Sequence, residues 1–387
     1  MGRHAILCGV GSAYDPPGYE GLHHYLEHAV HMGTQSRTSH EIRALAEQYF
    51  LIHNAETRQT ETIYFGEAVF TRFDILCDVL LDIYLNAVFL EEDIAREKEV
   101  IVNEIAIDND HDDSKAHSSL SRCLWGNHPL GTHGIGTAEG VSAVSREMLL
   151  DTVGHCHIPS NTVVIGTGRI DHDLLVKRVF TAFRLNHDRV VRIYCPDDGT
   201  GPPAEKRQVI EAPGREKAIL AFGCKIPLFS YRESSVFTTV VYMLDLMIEE
   251  EIREKRGFAY ATGGSYRSDR ALGADVRFVA GTLPKRISAV LSLAPEILCS
   301  YPLSKEQFLR TRDRLTDGSL VSLERPADWE RVITWRIVEE GGEISMLRSY
   351  GKLHRKTIAS VEFEEVSAMR EKIFLPERLA CAIVRPS

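Results

Sequence analysis

The stretch Pro196-Asp197-Asp198-Gly199-Thr200-Gly201-Pro202-Pro203 constrains the chain's fold more than any other feature. Three prolines and two glycines within eight residues deny it the dihedrals and donors of a helix or a central strand. It reads as a linker and leaves halves of about 195 and 185 residues, each the size of one domain. The halves close alike. A helical pattern at SREMLLDTVGHCH is followed by Pro159 and the strand-like NTVVIGTG, and FEEVSAMREKIF is followed by Pro376 and ERLACAIV. The expectation is an α+β chain of two homologous domains, each a mostly antiparallel sheet packed with helices: 1–195, a linker at 196–205, and 206–387.

Hydrophobic residues at 44% and charged residues at 26% give enough apolar material for two cores and exclude a disordered chain. No run of about 18 apolar residues exists, so no membrane span is expected. A net charge of -10 argues against a nucleic-acid partner held through phosphates. The opening MGRHAILCGVGSA is short and glycine-broken, unlike a signal peptide. Eight cysteines without a Cys-x-x-Cys pair read as buried thiols in a reducing compartment, which makes the cytoplasm the expected location.

Helical spacing is expected from Glu20 to about Met32, over 71–89, from Glu92 to about Asp108, and from Val236 to Arg256, ahead of Gly257. Strands are expected at 62–69 and 275–282. The polar run NDHDDSKAH (109–117) reads as a loop or frayed helix end.

Seven of the 16 histidines fall in the first 53 residues, and two of them form H-x-x-E-H: His24-Tyr25-Leu26-Glu27-His28. Residues four apart lie on one face of a helix, so His24 and His28 can reach one metal ion. Glu27 stands beside the same face, where a carboxylate can take a proton from water. A catalytic zinc usually takes three protein ligands, and the helix bearing Glu97 and Glu104 offers carboxylates. These two are seven apart and share a face with Ile101 between them. Burying them there would be costly without a cation, while a solvated acidic face is the plainer alternative. His23 is one step around the helix and is expected to face away. His155 and His157 read as locally satisfied histidines. Neither a G-x-S-x-G elbow nor a strand–turn–helix with G-x-G-x-x-G is present.

GSAYDPPGYEGLHHYLEHAVHMGT (11–34), then Asn54-Ala55-Glu56-Thr57, then AREKEVIVNEI (95–105), resembles the pitrilysin, insulinase and mitochondrial processing peptidase family, in its two-domain bacterial type. HPLGTHGIGT (128–137) and Pro159-Ser160-Asn161 continue the likeness. Glu104 follows His28 by 76 residues, near the family's distal spacing. The resemblance implies His24, His28 and Glu104 as ligands of one zinc ion per chain, Glu27 as general base, and Glu97 as a carboxylate supporting the site. Asn54 and Ala55 match the edge strand whose backbone pairs with an extended substrate. In REKRGFAY (253–260), Arg253 and Tyr260 resemble the pair that reaches the substrate carbonyl; by itself REKR is a solvated basic helix end favoured by the helix dipole.

The implied activity is zinc-dependent endoproteolysis of short or unfolded polypeptides. Two domains rather than four imply pairing of chains, as a homodimer or as a heterodimer with a related chain. The alternative is a non-catalytic structural or peptide-binding subunit of the same fold. Two departures stand out. The chain begins almost directly at the family's second strand, so the first sheet is expected to lack an edge or to borrow one. Phe50 and Leu51 stand where the family favours glycine, which makes the substrate edge bulkier.

Overall fold

AILC and the residues before it are buried without alternation over Gly2–Cys8, the pattern of a strand covered on both faces. A computed structural model describes residues 1–183, 199, 201–321, 323–338, 347 and 349–387. It makes this run β1, followed by α1 (Leu22–Ala29), α2 (Ser39–Tyr49), β2 (Phe50–Thr57), β3 (Thr62–Ala68), α3 (Phe73–Leu85), α4 (Glu91–Asp110), α5 (Asp112–Trp125), α6 (Ala138–Ala143), α7 (Arg146–Cys156), β4 (Thr162–Gly168) and α8 (His172–Ala182). The first sheet runs β2-β3-β1-β4 and is antiparallel throughout. Ile6, Leu26, Tyr64, Leu76, Leu80 and Ile101 meet in its core.

The later elements are β5 (Arg207–Glu211), β6 (Ala218–Ile226), α9 (Tyr231–Ile248), β7 (Ala259–Asp269), β8 (Gly273–Thr282), α10 (Ile287–Cys299), α11 (Lys305–Val321), α12 (Pro326–Val338), α13 (Tyr350–Ala359), α14 (Phe363–Ile373) and β9 (Ala380–Arg385). The second sheet runs β5-β9-β6-β8-β7, with β5 parallel to β9 and the other pairs antiparallel. Removing β5 leaves β9-β6-β8-β7, the same order as β4-β1-β3-β2. The architecture is α+β twice over, as the repeated helix, proline turn and strand predict.

Two compact units divide the chain. One is Met1–Asp108 with His133–Ile193 and Glu324–Trp335; the other is Asn109–Thr132 with Tyr194–Leu323 and Arg336–Ser387. A single division at 196–205 does not coincide with them, because two segments are exchanged. In the first unit Arg3 bonds to Glu330 through Nε at 3.0 Å and Nη2 at 2.8 Å, and the Thr167 hydroxyl donates to Pro326 O at 2.7 Å. In the second, α5 packs on β6 and β9, and Trp125 Nε1 donates to the fully buried Asp275 at 2.7 Å. Asp275 also accepts from Arg267 Nε at 2.7 Å and Arg277 Nε at 2.6 Å. Residues 196–198 and 200 of the expected linker lie outside the described residues, as does Cys195. The other seven cysteines carry free thiols.

The polar run 109–117 is helical instead of a loop. α4 continues to Asp110 and α5 starts at Asp112, with His111 alone between them. Asp112 and Asp113 favour the start of a new helix through its dipole, while Ala116, Leu120, Cys123 and Leu124 bury its far face. The first helix is shorter than its periodicity predicts. It passes into a 3₁₀ turn at Val30–Met32 and stops at Gly33, whose φ is 142°, a value that disfavours a side chain. No helix among the described residues is long and apolar enough to cross a membrane.

Candidate metal centre

α1 begins where Asp15 satisfies its orphan donors: its carboxylate accepts from Gly21 N at 2.7 Å and His23 N at 3.0 Å. His23 Nδ1 meets the same carboxylate at 2.7 Å. It is buried against Asp15 and is not among the converging donors. His24 and His28, one turn apart, present rings with centroids 4.8 Å apart. The Tyr25 hydroxyl donates to Ile94 O and ties α1 to α4. α4 in turn carries Glu104.

One ligand atom from each of His24, His28 and Glu104 lies within 4.8 Å of the other two. Glu104 Oε2 is 3.9 Å from His24 Nε2 and 3.6 Å from His28 Nε2. Ligands about 2.1 Å from a tetrahedral ion stand about 3.4 Å apart, so small adjustments suffice for one ion. The tautomers of the neutral rings fit as well. His24 Nδ1 is 3.2 Å from Ile135 O and His28 Nδ1 is 2.9 Å from Glu97 Oε1. Both oxygens are acceptors, so each Nδ1 carries the hydrogen and each Nε2 offers its lone pair. Burial, and then the neighbouring His28, push the His24 pKa down, favouring the neutral ligand. Burial also works against charge on His28, but the Glu97 hydrogen bond and the nearby carboxylates outweigh it and raise its pKa.

Glu27 is 9% exposed, and burial raises its pKa against a hydrogen bond from Thr57. A buried carboxylate that feels the charges of His28 and Glu104 is equipped to exchange a proton. Half of the Glu104 side chain remains exposed, so the donor set is open to solvent on that side.

Three partners of this centre were not identified from the sequence. Ile135 contributes a backbone carbonyl, which side-chain identity cannot announce. It is positioned by Gly136 (φ 89°), where a Cβ would lie 2.3 Å from Gly21 Cα, and by Thr137 N donating to Glu20 O at 3.1 Å. The other two are Asp15 and Thr57; both lie inside motifs named above but had no role there.

Asn54 and Ala55 lie on β2, opposite Phe65 and Tyr64 of β3. Among the described residues β2 has a sheet neighbour on one side, so it is an edge strand. A register shift between Phe50 and Ile52 leaves Leu51 57% exposed as a bulged residue. Arg253 and Tyr260 belong to the second unit. Arg253 sits in a π-helical stretch, Glu249–Glu254, bonded to Glu249 at 2.6 Å. Tyr260 lies on β7, past the turn at Gly257. Its ring lies against Gly281 and under Lys217, whose Nζ is 4.7 Å from the centroid.

The fold defines the class: a two-domain structure like that of M16-type peptidases. A protease from Helicobacter pylori matches with a TM-score of 0.87 at 15% identity, covering 100% of this chain and 94% of that one. A structure described as a peptidase M16 inactive domain, from Pseudomonas fluorescens, matches at 0.84 and 15%, covering 100% and 93%. Residues 3–138 fit the family described as Insulinase (Peptidase family M16), and the chain carries a domain of that family. A Mycobacterium tuberculosis protein named an uncharacterized zinc protease is 26% identical over a gapped alignment 397 residues long, which covers 98% of this chain and 87% of that protein.

Proposed function

We propose that this protein is a zinc endopeptidase that hydrolyses peptide bonds in short or unfolded polypeptides, with one zinc ion per chain. The reading rests on one observation: two imidazole Nε2 atoms and a carboxylate oxygen converge within 4.8 Å beside a buried glutamate. His24, His28 and Glu104 would hold the ion, and Glu97 and Ile135 O orient the two rings. When bound, the ion supplies Lewis acidity, polarising a carbonyl and making water more acidic near neutral pH. Glu27 takes the proton of the attacking water and returns it to the leaving amine. The backbone at Asn54 and Ala55 adds an extended substrate to the β2 edge, which recognises main chain rather than side chains. The resemblance assigns Arg253 and Tyr260 as donors to the substrate carbonyl, in a homodimer or in a heterodimer with a related chain.

The test is cleavage of an unstructured fluorogenic peptide by metal-stripped and zinc-reloaded protein. Cleavage that returns with one equivalent of zinc supports the reading; a zinc-loaded protein that leaves the peptide intact overturns it. The likeness to a solved M16 inactive domain favours a second reading, a subunit that binds peptide without turnover. Peptide binding by the zinc-loaded protein with no product would select it.

A further inference from the structure

The carboxylate assigned as base is held from outside its own helix. Thr57 Oγ1 donates to Glu27 Oε2 at 2.5 Å. Thr57 is the last residue of β2, and its pairing partner across the hairpin is Thr62. Thr62 is itself fixed, because its hydroxyl donates to Val10 O at 3.0 Å. A threonine side chain has one stiff torsion, whereas a glutamate has three, so the contact transfers the rigidity of the sheet to the carboxylate. The Thr57 backbone also hydrogen-bonds this carboxylate, so both anchors come from the strand end and the hydroxyl is the one a side-chain substitution can remove.

We propose that Thr57 is the positioning residue for Glu27: it sets the carboxylate by a hydrogen bond from the end of the same strand that carries Asn54 and Ala55. This rests on the reading of the protein as a peptidase. It also explains why the edge strand and the base work as one part. Three residues of strand, about 10 Å, separate Asn54 from Thr57. A peptide laid along β2 is therefore indexed to the base by the strand itself.

The experiment compares Thr57→Val, which keeps the shape and removes the donor, with Thr57→Ser, which keeps the donor. For the valine variant kcat falls by about 10–100-fold, with KM, zinc content and melting temperature unchanged; the serine variant recovers most of the loss. In crystals of the metal-free proteins, the Glu27 carboxylate stays on the hydroxyl in the serine variant and turns away in the valine variant. A valine variant that matches the parent in kcat, or that keeps the carboxylate in place, overturns the proposal. A loss equal in both variants, accompanied by a lower melting temperature, shows a merely structural threonine and also overturns it. If the zinc-loaded parent cleaves no peptide, the peptidase reading falls first, a result separate from a parent that cleaves and a valine variant that cleaves equally well.

Discussion

The two units use one strand order for opposite ends. In the second, the helix after the first central strand is α9, 18 residues long, and Val236, Phe237, Val240, Leu244 and Met247 are buried along it. In the first, that place belongs to α1, eight residues long and broken off by a 3₁₀ turn; His24 and Glu27 are buried on it and His28 partly so. Each fully buried aliphatic or aromatic side chain of α9 contributes about 1.5–3 kcal/mol. α1 forgoes some of this and surrounds its polar atoms with partners instead: Ile135 O for His24, Glu97 for His28 and Thr57 for Glu27. The lesson is that one helix position of a duplicated architecture can serve as apolar packing in one copy and carry buried polar chemistry in the other.

The sharpest way to break that division is Glu27→Gln. Peptide cleavage should fall by about 10²–10⁴-fold, while bound zinc, measured by elemental analysis, and melting temperature stay at parental levels. Retained hydrolysis would remove Glu27 from its role. The complementary change is Leu244→Ala in the fully buried face of α9. Urea unfolding should show a loss of about 2–5 kcal/mol, far more than Glu27→Gln costs.

A smaller effect is expected for Glu97→Gln. Losing the anionic acceptor on His28 Nδ1 should weaken zinc binding by about 10–100-fold in a chelator competition.

The fourth prediction concerns acid. Burial alone would raise the Asp275 pKa, but Arg277 and Arg267 hold it at about 2, below its ordinary 3.8. A carboxylate depressed in the folded state stabilises the fold above its unfolded pKa and loses that contribution as pH falls through the folded one. Stability should therefore decline between about pH 4 and pH 2, by about 2 kcal/mol from this group. Asp275→Asn should flatten that part of the pH profile. The smallest effect belongs to Arg310→Ala. Its ion pair with Glu306 is 2.5 Å long but more than 70% exposed on both sides, so unfolding should change by less than about 1 kcal/mol.

How much the sequence reveals follows the range of the interaction. His24 and His28 share a helix face by spacing alone, and the paired helix–proline–strand endings reveal the duplication. Glu104 is different, since only folding brings α4 to α1, and its candidacy rested on resemblance and on the cost of a buried carboxylate. Ile135 was out of reach because a backbone carbonyl has no residue identity. The run 109–117 misled because its polarity reflects exposure, whereas its helicity comes from Asp112 and Asp113 at a new N-terminus and from the buried face behind them. The proline–glycine run speaks only to its own local backbone preferences and carries no information about which unit α5 or residues 324–335 join.

That exchange of segments has a consequence for how the protein is made. The chain passes between the units five times, and the last piece of the first unit is Glu324–Trp335. On a ribosome, Arg3 and Glu67 emerge early, yet Glu330 arrives on the order of ten seconds after residue 193. The amino-terminal unit is therefore finished late in translation, and a chain released at the linker leaves the Arg3 guanidinium short of one of its two carboxylates.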